Sequence, residues 1–259
     1  MTETATYLYA IGRRPEAAPA IEGQGLQDAA IRSIEYRGLV AVVSTVGLDE
    51  FGESALRRNL EDLRWLERTA RRHDEVVRAA AAVTSAIAPF RLATICRSDD
   101  GVRERIDTLY DDLVRALDRI EGRSEWSVKA FVSVRRPTAA DQPSGQTQTA
   151  GSGVAYLERR RAELRAKEAA TARDELVSEA LFWDLSAGAE AARRLAAQDQ
   201  RLSARSEPMV LNGTFLVDDP RAGDFAELVE QLRQKYSELQ LELTGPWPPY
   251  SFATLDDET

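Results

Sequence analysis

Two side chains bound the covalent and acid–base chemistry this sequence offers, because its 259 residues include one histidine and one cysteine. A lone imidazole at His73 could act as a general base. Its place in the series Leu66, Ala70, His73, Val77, at helical spacing, predicts instead a packed residue at the edge of a core. Cys96 lies in a β-prone run, with no second cysteine or histidine beside it to lower its pKa, so apolar packing is expected rather than nucleophilic attack. One thiol permits no intramolecular disulfide and points to a reducing compartment. Phosphate loops, dinucleotide fingerprints, HExxH and GxSxG patterns do not occur. The carboxylate pairs Glu61/Asp62, Asp99/Asp100 and Asp111/Asp112 fall on helix faces or helix N-termini, where hydrated acidic residues suit the helix dipole. No catalytic residue, metal or cofactor is predicted.

The formal net charge is −9 and the pI about 4.9, a mean field that repels phosphate backbones and anionic lipid. The arginine runs do not reverse this. Arg57, Arg58, Arg64, Arg68, Arg71 and Arg72 are interleaved with Glu61, Asp62, Glu67, Asp74 and Glu75, and Arg159–Arg161 and Arg165 with Glu158, Glu163 and Glu168. Mixed signs at these spacings make intrahelical pairs. No apolar run reaches the roughly 18 residues of a membrane-spanning helix, and Met1–Thr6 carries no export signal pattern. The expectation is a cytoplasmic protein with no nucleic-acid and no membrane partner.

The elements that would position these residues alternate in type. Thr6–Ile11 reads as a strand; 30–36 and 39–46 read as a hairpin about Arg37-Gly38. Ser54 to about Val83 predicts one long amphipathic helix with Leu56, Leu60, Leu63, Leu66, Ala70, His73, Val77 and Ala80 inward. Pro89 opens a predicted strand over 90–96, Ser98 caps a helix ended by Gly122, and 126–134 alternates as a strand. Residues 136–153 lose all hydrophobic pattern and read as a flexible linker. Beyond it come a long helix from Tyr156 to about Leu185, a short helical stretch over 189–197 and a strand over 208–217. A helix capped by Asp224 and a last strand carrying Leu239, Leu241 and Leu243 complete the series. The fold class is α+β: an N-terminal domain over 1–135 and a C-terminal domain over 154–259. Each is a small sheet with long helices packed on it, the second of ferredoxin-like type.

The segment Thr244-Gly-Pro-Trp-Pro-Pro-Tyr-Ser-Phe252 is the least ordinary part of the chain. Its prolines hold an extended backbone, and its aromatics carry more apolar area than a free tail would. It must dock on something. It either folds back over its own domain or offers Trp247, Tyr250 and Phe252 to a partner. An aromatic residue before proline also raises the expectation of a cis bond at Trp247-Pro248.

Several stretches together resemble the gas vesicle protein GvpL/GvpF family. They are Tyr7–Ile11, Asn59–Leu66 leading to His73–Val77, Pro89-Phe90-Arg91-Leu92-Ala93-Thr94, Glu125–Lys129, Tyr156–Arg160, Val210–Val217 and, above all, Gly245–Phe252. One departure is Ala93, where the family pattern has glycine. The resemblance implies a two-domain α+β protein, without catalysis, that takes part in building gas vesicles. It implies as partners the hydrophobic main shell protein and other gas vesicle accessory proteins, and a location at the gas vesicle in the cytoplasm. Trp247, Tyr250 and Phe252 or a helical face would cover an aggregation-prone subunit. Two other readings stand beside it: a small-molecule enzyme using His73, and a nucleic-acid-binding regulator.

Overall fold

Thr4–Arg13 forms β1, and Ala5 through Ile11 are buried without interruption, as a strand covered on both faces must be. The computed structural model of the chain describes residues 3–14, 19–132, 153–197 and 207–253. Arg32–Tyr36 (β2) and Leu39–Gly47 (β3) make the expected hairpin. Arg37 and Gly38 take φ of 51° and 75°, the left-handed pair that a two-residue primed turn requires. β3 lies along one edge of β1; Ala86–Pro89 (β4) and Ile95–Cys96 (β5) share the other, so the first sheet runs β2-β3-β1-β4 with β5 also on β1. Leu8 pairs with Val43 and Ala10 with Val42, which leaves Tyr9 as the extra residue of a bulge.

The helix expected over Ser54–Val83 is two, α2 (Glu53–Asn59) and α3 (Leu63–Ala81), and a single turn α1 (Leu48–Phe51) precedes them. The break has a local cause. The Asp62 carboxylate accepts the amides of Arg64 (2.9 Å) and Trp65 (3.3 Å), starting a new helix, while Glu61 and Asp62 close tight turns onto Arg58 and Asn59. Leu60, Leu63 and Ala70, expected inward, are therefore exposed, and the buried stripe is Trp65, Thr69, His73, Val76, Val77 and Ala80. This stripe packs with Tyr7, Tyr9, Val42, Val46, Phe51 and Ile87 in one core. Helices α4 (Asp99–Thr108) and α5 (Tyr110–Ile120), separated at Leu109, also pack on β1 and bury Val102, Ile106, Leu113, Leu117 and Ile120 outside that core. Ser98 caps α4 through the Gly101 amide at 3.3 Å, as expected. Asp99 is no bare surface charge: Arg32 holds it at 2.7 and 3.1 Å and Thr6 at 2.9 Å, and the guanidinium keeps its carboxyl below the usual range.

Of the strand expected over 90–96 only Ile95–Cys96 (β5) forms, and β4 ends at Pro89, where that strand is expected to open. Residues 91–94 form a turn in which Thr94 bonds back to Arg91 and Ala93 takes φ +65°, before β5 resumes. The second sheet is antiparallel, in the order β7-β8-β6-β9, from Arg123–Val132 (β6), Ala191–Arg194 (β7), Met209–Asp218 (β8) and Leu239–Trp247 (β9). The 34-residue α6 (Gly153–Ser186) joins β6 to β7, and α7 (Ala222–Lys235) joins β8 to β9. Phe215 of β8 meets Phe182 of α6 at 5.8 Å and Phe225 of α7 at 5.6 Å, so both helices cover one face.

The helical stretch expected over 189–197 is the edge strand β7. Its alanine-rich sequence yields to pairing with β8, seen in the bond from the Leu195 amide to the Asn212 carbonyl. Asp224 lies in the first turn of α7 but does not cap it, since a 3-10 turn over Asp219–Arg221 leads in. The linker expected over 136–153 lies outside the described residues except for Gly153, which opens α6. Two compact units divide the chain: Met1–Trp126 with Leu216–Asp219 and Gly245–Thr259, and Ser127–Phe215 with Pro220–Thr244. Among the described residues no helix is long and apolar enough to cross a membrane.

The left-handed conformation costs a non-glycine residue about 1–2 kcal/mol. Ala93→Gly should therefore raise the urea midpoint of unfolding, by an amount equivalent to about 1 kcal/mol after glycine's own chain entropy is deducted. A midpoint unchanged or lowered would show that the turn is not strained at this residue.

Candidate functional site

The proline–aromatic segment begins inside β9, which runs four residues past Leu243. At Gly245, φ is +136° and a Cβ would stand 2.9 Å from the Glu125 carbonyl oxygen and 3.1 Å from the Trp126 ring, so only glycine passes here. The cis peptide in this stretch is Gly245-Pro246, and not Trp247-Pro248. Trp247 is half-buried, with the Arg78 guanidinium 4.2 Å over its ring. Arg78 is itself fixed by Asp74 at 2.7 Å. The chain then turns back: the amides of Tyr250, Phe252 and Ala253 bond to the carbonyls of Pro248, Pro249 and Pro249.

Glu125 holds the turn. Its carboxylate accepts the Ser251 amide and the Ser251 hydroxyl, each at 2.7 Å. Glu125 is buried, so this charge is desolvated and its hydrogen bonds compensate for that. Phe252 is 2 % exposed and Ala253 is buried. The segment folds back over its own unit.

Tyr250 lies against the first core, its ring 6.5 Å from that of His73. Burial, then the neighbouring Asp74 carboxylate, raises its hydroxyl pKa. The rings of Tyr7 and Tyr9 lie 5.8 and 5.5 Å from His73. The Tyr7 hydroxyl accepts the Ala93 amide at 2.8 Å, which leaves its proton for His73 Nδ1 at 3.0 Å. Burial lowers the His73 pKa to about 4, against opposing effects of Asp74 and the Phe90 backbone. The ring is neutral and, at 4 % exposure, shut off from any substrate. Cys96 is buried too, and burial pushes its thiol up, away from the nucleophilic thiolate.

Trp247, Tyr250 and Phe252 therefore share one short strap but occupy different surroundings. Phe252 is interior, Tyr250 seals the core beside His73, and Trp247 stands at the rim of a cleft of about 350 Å³ lined also by Arg78, Thr84, Ser85, Arg123 and Asp219. Sequence reasoning does not single out Glu125 or Arg78, the two side chains that fix the strap. A carboxylate next to Trp126 in an otherwise apolar-patterned strand is the one signal for Glu125. A second cleft, about 690 Å³, runs beside α3 and is lined by Leu26, Asp28, Glu50, Trp65, Arg68 and Arg72.

Residues 5–254, strap included, match the family of gas vesicle synthesis protein GvpL/GvpF. The chain belongs to the GvpL/GvpF family. It is 40% identical to gas vesicle protein L of Streptomyces sp. (strain CB03234) over 99% of this chain and 96% of that protein. Gas vesicle protein F of the same strain is 29% identical, over 95% and 98% of the two chains. Two crystal structures share the fold: GvpF from Anabaena sp. PCC7120, with TM-score 0.68 and 21% identity over 98% of this chain and 97% of that one, and GvpF from Microcystis aeruginosa, with TM-score 0.66 and 18% identity over 97% and 99%.

The His73 pKa gives a pH dependence of known sign. Its folded value is below the unfolded 6.5, so between about 4 and 6.5 the unfolded chain binds more protons. Stability from this group is complete above 6.5 and falls as pH drops through that window. Urea unfolding should lose about 2 kcal/mol between pH 7 and pH 5, and His73→Gln should remove most of that slope; an equal slope in the variant would exclude His73 as its source. Glu125→Ala removes both carboxylate hydrogen bonds to Ser251 and should cost about 2 kcal/mol, read by the same titration; a variant as stable as the parent would mean that the strap does not depend on this carboxylate.

Proposed function

We propose that the chain is a non-catalytic accessory or minor structural protein of the gas vesicle. In this reading it binds the hydrophobic main shell protein and other gas vesicle accessory proteins during nucleation and assembly, at the vesicle in the cytoplasm. The observation that carries it is the family match from residue 5 to residue 254, which takes in both sheets and the strap. The surroundings of the reactive side chains support it, since His73 is neutral and enclosed and Cys96 is buried with its thiol protonated.

A protein that holds an aggregation-prone apolar subunit needs an accessible aromatic or aliphatic contact on a rigid base. Trp247 supplies it. It is stacked against Arg78 and held from behind by the anchored turn at Ser251, and the cleft beside it admits a side chain of a partner. Tyr250 and Phe252 serve this contact by fixing the strap, and their rings are spent on the protein's own core. Asp74, Arg78 and Asp219 at or beside the rim keep that surface hydrated when no partner is bound.

Co-expression with the main shell protein followed by affinity capture tests this. Trp247→Ala should reduce capture at least about tenfold, the cost of losing one central aromatic anchor, with the circular dichroism of the parent retained. Equal capture by parent and variant would move the contact away from the strap. Failure of the parent itself to capture shell protein, with vesicles still formed in a deletion strain, would overturn the assembly reading.

A further inference from the structure

α6 is about 51 Å long at 1.5 Å per residue, far more than its own unit uses. Among its described residues, burial is confined to the last turns, where Ser178, Leu181 and Leu185 are buried, the Ser178 hydroxyl bonds to the Val210 carbonyl, and Phe182 meets Phe215. From residue 157 to 173 every position whose surroundings are described is exposed. A helix of mixed charge gains little stability in water from propensity alone.

The exposed side has a pattern. Ala162, Ala169, Leu176 and Trp183 recur at steps of seven, and Leu176 and Trp183 are 70% and 66% exposed. Seven residues return to nearly the same face of a helix, about 20° off. Leu181 and Leu185 lie about 140° to 180° around the helix from Leu176 and Trp183, so this seam faces away from the second sheet. It is graded in size, with small residues in the first half and large ones in the second. Charge is graded in the same direction. Arg160, Arg161 and Arg165 outweigh Glu158 and Glu168 in the first half, and Asp174, Glu175 and Glu179 outweigh Arg173 in the second.

We propose that this face is the interface with a second copy of the same chain, the two α6 helices running antiparallel about a two-fold axis near residues 172 and 173. Trp183 of each copy then lies over Ala162 of the other, and Leu176 over Ala169, so large residues fill the space that small ones leave. The basic half of one helix meets the acidic half of the other, with Arg165 beside Glu179 of the second copy. A parallel pair would stack Trp183 on Trp183, leave the alanines apart and set like charges together. The antiparallel pair is isologous and closed, so it stops at a dimer, and the seven-residue repeat is that of a left-handed coiled coil. The shell protein is not this occupant: the grading of size and charge along α6 is complementary to itself.

Sedimentation equilibrium of the full chain across a concentration series tests the proposal. The parent should form a dimer. Trp183→Glu should weaken self-association about thirtyfold or more, and Arg165→Glu about tenfold at low salt. The double reversal Arg165→Glu with Glu179→Arg should restore it, because both members of the pair come from one sequence. All these side chains are exposed, so unchanged circular dichroism separates lost association from lost folding. A parent that stays monomeric at every concentration, a dimer indifferent to Trp183→Glu, or a double reversal no better than Arg165→Glu alone would each overturn the inference.

Discussion

Two buried tyrosine hydroxyls on β1 organise the first unit. A hydroxyl taken out of water costs free energy unless it is bonded, and in the middle of a fully covered strand the partners must come from elsewhere in the chain. Tyr7 takes the Ala93 amide and reaches His73; Tyr9 takes the Leu26 amide at 2.7 Å and Ser44 Oγ at 2.8 Å. Those bonds fix the turn between β4 and β5, the loop after β1, strand β3 and helix α3 relative to one residue pair. The bulge at Tyr9 belongs to the same arrangement. His73 follows from it: a ring set among Tyr7, Tyr9 and Tyr250 stays neutral because burial disfavours its charged form.

The C-terminal strap closes this core rather than hanging from it. Gly245 lets the backbone pass against β6, Glu125 takes both hydrogen-bond donors of Ser251, and Tyr250 and Phe252 turn inward. What is left for the outside is the half-buried Trp247 beneath Arg78. An aromatic-rich segment can thus be an anchor and a contact together, because Trp247 precedes the turn that carries Tyr250 and Phe252 inward. The exposed seam of α6 belongs to the other unit and presents a separate kind of surface, graded in size and charge.

Much of the fold was legible in the sequence because it is set by local chemistry: the hairpin at Arg37-Gly38, the Ser98 cap, the strand from 208 onward and the length of α6. The failures came where a local competitor or a distant partner decided. Asp62 captured the amides of Arg64 and Trp65 and broke a helix that the leucine periodicity alone would continue. Residues 191–194 became a strand because β8 offers them an edge, against their alanine-rich composition. The Ala93 turn is invisible to periodicity, yet the expected glycine at that place was a sign of the positive φ found there. In the site, the aromatic residues announced themselves by type, whereas Glu125 and Arg78 are ordinary charged residues whose roles depend on segments far away in sequence.

Trp247 has a fixed base only if the strap is part of the folded unit, and hydrogen exchange at the Ser251 amide measures that directly. Bonded to a buried Glu125 carboxylate, this amide should exchange only through global opening, at a rate comparable to the β1 amides. Exchange within seconds, at the rate of a free peptide, would mean that the strap is not docked and that Trp247 has no fixed base from which to meet a partner.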